Sequence, residues 1–263
     1  MKSFQEYLAV YSPSEKGNDD LWVEFTDLVN SVPYLSIHRD WVEKHSWGFG
    51  DRAFHYMWYL ILAQDILKRN DPFLLEIGVY KGQVISLWSL IALNEGGKAN
   101  IYAISPLSGT GERLPPIAHE IWLVINKKYR EDFSSGNLYK QMDYLRCIEQ
   151  IFSQFNLTIS SIHLLQGSSQ DKAIQAKLSY LTFDLVYIDG SHTYQDVSND
   201  IDFYGDRVKV GGYLILDDAS YFQPGTLFWK GHKNVSRAAE DIDKNRFTNI
   251  LNVGHNRIYK RLL

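Results

Sequence analysis

The amino-acid sequence predicts an α/β protein built on an open, mostly parallel sheet with helices on both faces. Two observations carry this. From residue 73 onward, short β-rich runs alternate with longer runs of helical spacing, the pattern of strands joined by crossover helices. The chain then closes on "FTNILNV", a Gly-His-Asn turn signal and "RIYKRL", which read as an antiparallel hairpin.

The strands follow in order. "FLLEIG" (73–78) is the first, and "GQVISLWSLIALNEGG" (82–97) follows it with helical apolar spacing and a glycine pair as its stop. "NIYAIS" (100–105), "SIHLLQG" (161–167), "FDLVYID" (183–189) and "GGYLILDD" (211–218) are the second to fifth, and "VSRAAEDIDK" is the last helix. Two regions stand outside this core. Residues 1–70 are rich in aromatics, among them Trp22, Trp41, Trp47 and Trp58, and read as a helical lid region before the sheet. Residues 106–160 form an insertion about twice the usual crossover length, opening on "SPLSGTGERLPP" and continuing as two helix-like runs. The organisation expected is a lid over 1–70 and one sheet domain over 71–263 that carries the insertion.

At 263 residues the chain suits one large core. A net charge of −4, with 27 Lys and Arg forming no basic block, argues against nucleic acid as a partner. The only cysteine, Cys147, leaves no intrachain disulfide and no Cys-rich zinc site. No apolar stretch reaches spanning length and the N-terminus turns polar early, so a cytoplasmic protein without membrane contact is expected. Trp47, Trp58 and Tyr221 are by default core or subunit-contact residues, and a homo-oligomer is left open.

"EIGVYKG" places Glu76 at the end of the first strand and Gly78 and Gly82 in a strand-turn-helix context, where backbone bends tightly and approaches a ligand. The three-glycine dinucleotide fingerprint is absent, which favours a cofactor without phosphates. The alternative is that these glycines only shape the turn. At the end of the second strand, where an acidic residue usually grips a ribose, stands Ser105, able to accept one hydrogen bond without a charge-assisted pair. After the third strand, Gly167 and Ser168 begin a helix, where they either contact an adenine or cap the helix.

Residues that end neighbouring parallel strands converge. Asp189 ends the fourth strand, and Asp217 and Asp218 end the fifth. Three carboxylates there repel unless a cation or a shared proton compensates them, and Mg²⁺, which takes about six oxygens, fits the set. Each aspartate has an alternative role in a cap or turn. His192, three residues beyond Asp189, titrates near neutrality and is placed to take a proton from a metal-bound hydroxyl; alone it would be an ordinary loop histidine.

"FLLEIGVYKG", "FDLVYIDGSHTYQDVSNDIDFYGDRVKVGGYLILDD" and the terminal hairpin together resemble the class I S-adenosylmethionine-dependent methyltransferases. Among them the resemblance is closest to the Mg²⁺-dependent O-methyltransferases of the macrocin and mycinamicin sugar-methylating type. It covers about residues 70–263 and implies a Rossmann-like class I methyltransferase sheet, in which five parallel strands precede a hairpin. It further implies that Asp189, Asp217 and Asp218 hold Mg²⁺ and that His192 is the general base. The more distant catechol methyltransferases place a lysine three residues after their first metal aspartate. Glu76, Gly78, Tyr80 and Gly82 are implied around the methionine part of S-adenosylmethionine. Ser105 departs from the acidic ribose ligand common in the superfamily, and no motif in 1–70 or in the insertion points to an acceptor. The function expected is methylation of a small-molecule hydroxyl with a neighbouring oxygen, such as a sugar diol of a glycoside or natural-product intermediate. The rival readings are a degenerate fold kept for binding or assembly, and a metal-dependent hydrolase using the same carboxylates.

Overall fold

The computed structural model describes residues 2–109, 111, 113–134 and 136–263. Thr110, Glu112 and Ser135, all in the long crossover, and Met1 lie outside that description. Seven strands form one sheet: β1 (Phe73–Ile77), β2 (Asn100–Ser105), β3 (Ile162–Gln166), β4 (Phe183–Ile188), β5 (Val208–Leu216), β6 (Phe247–Val253) and β7 (Asn256–Arg261). Their order is β3-β2-β1-β4-β5-β7-β6. The first five are parallel and the last two pair antiparallel. The chain winds outward from β1 to β3, then returns to start again at β4 beside β1. The carboxyl ends of β1 and β4 therefore flank the point where the winding reverses, the place where sheets of this kind collect ligands.

Side chains alternate across the central strands and divide the core into two layers. Leu74, Leu185, Tyr187, Tyr213 and Ile215 face one side. They pack there with α4 (Ala53–Gln64), α5 (Gln83–Asn94) and α8 (Tyr144–Gln154). Leu75, Val186, Ile188, Leu214 and Leu216 face the other side, against α9 (Lys172–Leu178), α10 (Tyr194–Gly205) and α11 (Lys233–Glu240).

The N-terminal helices α1 (Phe4–Val10), α2 (Glu15–Leu28) and α3 (Pro33–His45) join the first layer. Phe4, Tyr7, Phe25 and Leu35 are buried in the same cluster as the sheet residues. Much of residues 1–70 is thus a layer of the core, and the stretch around Phe49–Asp51 reaches the mouth of the sheet, where Phe49 packs on Tyr80. In the insertion the two expected helix-like runs resolve into three helices, α6 (Pro116–Ile125), α7 (Lys127–Ser134) and α8. Among the described residues no helix is long and apolar enough to cross a membrane.

At the amino end of the sheet, away from the site, Asp184 is buried and accepts from the Phe73 N–H at 2.9 Å, Lys209 Nζ at 2.7 Å and Arg69 Nη1 at 3.3 Å. Burial pushes its carboxyl up, but these three donors outweigh burial and hold it below the ordinary value. A depressed folded pKa gives stability that is present above about pH 4 and is lost as pH falls through the folded value. Asp184→Ala strands a buried N–H and two cations, so a loss of about 3 kcal/mol in urea unfolding at pH 7 is expected, shrinking towards zero at pH 2 to 3. An equal loss at both pH values would mean that packing, not charge, is responsible.

Candidate active site

The glycine loop follows β1. Gly78 has φ +100° and Gly82 φ +90°. A Cβ on Gly78 would lie 1.9 Å from the Asp189 carbonyl oxygen, so this glycine is needed for the close passage of β1 and β4 rather than for a ligand alone. Gly82 sits at the start of α5 and offers no capping side chain. The Glu76 carboxylate lies near the first turn of α5, where the Ile85 N–H partly offsets the effect of its burial. Burial, with Asp217 nearby, pushes the Glu76 carboxyl well above its ordinary value, and its Oε2 has no hydrogen-bond partner. Tyr80, with φ +47°, sets its ring among Phe49, Tyr139 and Tyr144, with centroids 5.1, 5.7 and 5.0 Å away.

The residues ending β2 and β3 are engaged in their own turns. Ser105 is buried, and its Oγ accepts the Leu107 N–H at 3.1 Å. Gly167 donates its N–H to the Ser105 carbonyl at 2.9 Å. Ser168 donates its N–H to Asp171 Oδ2 at 2.8 Å and accepts the Gln170 N–H on its Oγ at 3.2 Å, bonds that shape the turn before α9, whose N-cap Asp171 makes no side-chain cap bond.

The carboxylates gather at the ends of β4 and β5. The Asp189 N–H is held by the Ile77 carbonyl and the Asp217 N–H by the Ile188 carbonyl. Asp218 is left-handed, at φ +54°. Its carbonyl oxygen is approached by Gly231, where a Cβ would fall 2.2 Å away, and accepts the His232 N–H at 2.9 Å. Asp189 is hydrogen-bonded to Asp217, and burial together with Asp217 and Asp218 pushes the Asp189 carboxyl well up.

His255, from the turn between β6 and β7, enters this cluster. Its Nε2 lies 3.2 Å from Asp217 Oδ1 and 3.6 Å from Asp218 Oδ1. Its Nδ1 is 3.9 Å from Asp51 Oδ2, itself fixed by a 2.9 Å bond from Trp22 Nε1. Burial lowers the His255 pKa, but Asp217, Asp218 and Asp51 reverse this and push it up to about 9. Against its own burial, Asp217 is held below the ordinary value by His255, while burial and Asp217 push Asp218 up to about 8. The raised carboxyls of Asp189 and Asp218 and the raised imidazole of His255 together lessen the repulsion among the three aspartates.

His192 lies on the other side of Asp218, its Nε2 3.2 Å from Oδ2. Its loop is shaped by the start of α10, where the N-cap Thr193 Oγ accepts the Asp196 N–H at 3.2 Å and donates to Asp196 Oδ2 at 2.8 Å. The insertion closes over it: Asn137 Oδ1 accepts the His192 N–H at 3.1 Å, and Tyr139 stands 6.5 Å from the His192 ring. His232 stacks on His192 at 4.1 Å and 18°. Tyr139 touches both Tyr80 of the glycine loop and His192, so one ring joins the two halves of the site.

Among the described residues, two groups have metal-donor atoms within 4.8 Å of one another: Asp217, Asp218 and His255, and His192, Asp218 and His232. Asp189 is in neither, although it borders the same small crevice with Asp217, Asp218 and His192. Sequence reasoning did not find His232, His255, Asp51, Asn137 or Tyr139. His255 stood in plain view as the middle of the Gly-His-Asn turn signal, where only its turn-forming role was read.

Residues 75–219 match a sequence family described as a methyltransferase domain. The chain belongs to that family. The match takes in the glycine loop, His192 and all three aspartates of this methyltransferase and stops before His232 and His255. Over 171 residues it is 39% identical to an uncharacterized protein, R132, of Acanthamoeba polyphaga mimivirus, which is 64% of this chain and 61% of that protein. The chain therefore spans less than two thirds of that relative. Its fold is shared with the O-methyltransferase NovP (TM-score 0.54, 16% identity, 80% of each chain). The same holds for the methyltransferase PaMTH1 of Podospora anserina bound to S-adenosylhomocysteine (TM-score 0.56, 11% identity, 88% of each chain). A third is the O-methyltransferase TomG of Streptomyces achromogenes in complex with S-adenosylmethionine (TM-score 0.53, 13% identity, 95% of this chain and 99% of that one).

Proposed function

We propose that this methyltransferase moves a methyl group from S-adenosylmethionine to a hydroxyl that has a neighbouring oxygen, with Mg²⁺ as cofactor, in the manner of the sugar O-methyltransferases it resembles. The observation that carries the reading is the meeting of His192 with the buried carboxylates beside the glycine loop. The O-methyltransferase activity of the proteins that share the fold supports it. The residues suit a hard cation: Asp189, Asp217 and Asp218 line one small crevice, and burial with mutual repulsion raises the carboxyls of Asp189 and Asp218, a cost that a bound ion would remove.

Asp189, Asp217 and Asp218 would hold Mg²⁺, whose charge lowers the pKa of an acceptor hydroxyl. Glu76, Gly78, Tyr80 and Gly82 would hold the methionine part of S-adenosylmethionine, which would supply an electrophilic methyl group. His192 accepts the hydroxyl proton at Nε2, and Asp218, 3.2 Å away, steadies the imidazolium that results. Asn137 fixes the backbone of His192, and Tyr139 and Tyr80 shield the path of transfer from water. The acceptor is a small molecule, and the lid and insertion choose it.

Calorimetry with S-adenosylmethionine and S-adenosylhomocysteine, followed by assay of a diol panel with Mg²⁺ and with chelator, tests the proposal. Micromolar binding of both and transfer that stops in chelator are expected. Absence of binding would favour the degenerate fold, and ester hydrolysis with Mg²⁺ alone would favour the hydrolase.

A further inference from the structure

We propose that His192, Asp218 and His232 form a binding site for a divalent transition metal of the Zn²⁺ and Co²⁺ class, beside the oxygen set of the aspartates and sharing Asp218 with it. His192 Nε2 and His232 Nε2 lie 3.2 and 3.8 Å from the same atom, Asp218 Oδ2, and all three donors fall within 4.8 Å of one another. Metal–nitrogen and metal–oxygen bonds of about 2.0 to 2.2 Å in tetrahedral array set donor atoms about 3.3 to 3.5 Å apart. The two nitrogen–oxygen spacings, 3.2 and 3.8 Å, differ from this by a few tenths of an ångström, and the nitrogen–nitrogen spacing, within 4.8 Å, is closed by rotation of the more exposed His232 ring. Mg²⁺ demands oxygen ligands, whereas two imidazoles and one carboxylate suit borderline transition metals.

The donors are held before any metal arrives. The His232 N–H is bonded to the Asp218 carbonyl, so two of the ligand residues are tied through their backbones. Asn137 holds the third at its backbone. The two rings are stacked, and Gly136 runs so close that a Cβ there would lie 2.8 Å from His232 Cε1. The His232 side chain is 26% exposed while those of His192 and Asp218 are 8% and 9%. This gives three protein ligands and one side open to solvent, the form of a site that keeps an exchangeable position. Asp218 presents Oδ2 to this set and Oδ1 to His255, so one carboxylate borders both cation positions.

A metal in this set takes the Nε2 lone pair of His192. On the reading given under Proposed function, that lone pair accepts the substrate proton, so Zn²⁺ and Co²⁺ inhibit transfer where Mg²⁺ supports it. The binding claim does not depend on that reading.

The test is titration of the full-length, chelator-stripped protein with Co²⁺, followed by its visible d–d absorption, and with Mg²⁺ by calorimetry. One equivalent of Co²⁺ should bind at least about tenfold more tightly than Mg²⁺ and show the intense bands of imidazole-bound, low-coordinate cobalt. His232→Ala, with His232→Gln as a second variant of similar volume, should weaken Co²⁺ by at least about tenfold and leave Mg²⁺ affinity within twofold, with unchanged far-UV circular dichroism. Co²⁺ binding without bands, or with the same affinity in both variants, overturns the site. Intact cobalt bands in a protein that fails to bind S-adenosylmethionine would keep the site and overturn the functional reading instead.

Discussion

His192→Ala is expected to lower kcat by about 10²- to 10⁴-fold, the usual scale for a positioned general base, while S-adenosylmethionine affinity stays unchanged. The separation follows from position. On the proposed reading the cofactor lies at the glycine loop, and the Tyr139 ring stands between Tyr80 of that loop and His192. Contacts of His192 include Asp218, His232 and Asn137. A base that takes a proton in the transition state affects kcat more than binding. Raising the pH should restore part of the lost rate, because an acceptor that ionises unaided needs no base. The measurement is kcat against pH at saturating Mg²⁺, in buffers cleared of transition metals, for wild type and variant. A variant with wild-type kcat across the range would remove His192 from the chemistry.

His255→Ala is expected to cost about 3 to 5 kcal/mol of stability in chelator, since it leaves buried carboxylates without their cation. The wild type carries a matching pH signature. With a folded pKa of about 9 against about 6.5 unfolded, His255 contributes stability that is fully present below pH 6.5 and is lost as pH rises through 9. The 2.5-unit difference corresponds to about 3 kcal/mol. Asp218, raised to about 8, also binds its proton more tightly when folded, so it adds to the decline with the same sign between about pH 4 and 8. Urea unfolding at pH 6, 7.5 and 9 in chelator should therefore show falling stability, and His255→Ala should flatten the upper part of the curve. A wild-type curve level from pH 6 to 9 would show that His255 is neutral in the folded protein.

The parallel strands were legible because each is a compact apolar run bounded by turn residues. The limits that moved did so for local reasons. β5 starts at Val208, before the "GGYLILDD" run, because Gly211 at φ +77° lets the strand continue through an irregular pairing with β4. The crossover holds three helices where composition showed two runs, since Asn126 separates α6 from α7 without any glycine or proline to mark it. Asp189, Asp217, Asp218 and His192 could be read as neighbours because strand ends converge by topology. His232, His255 and Asn137 could not, because loops carry them back to the site and tertiary contacts alone fix those returns: Gly231 against the Asp218 carbonyl, the Ala219 N–H on the His255 carbonyl, Asn137 on His192. For Gly78 the sequence offers both a tight turn and close approach to a ligand, and the structure adds a third demand, the Asp189 backbone packed against it.

The hairpin turn that delivers His255 also makes the edge of the sheet part of the charge balance of the site. β6 and β7 bury Leu251 and Ile258 and carry, in the short turn between them, the imidazole that faces Asp217 and Asp218. Packing at the sheet edge and electrostatics at the strand ends are therefore one structural unit, and a change that loosens the hairpin also withdraws positive charge from buried carboxylates.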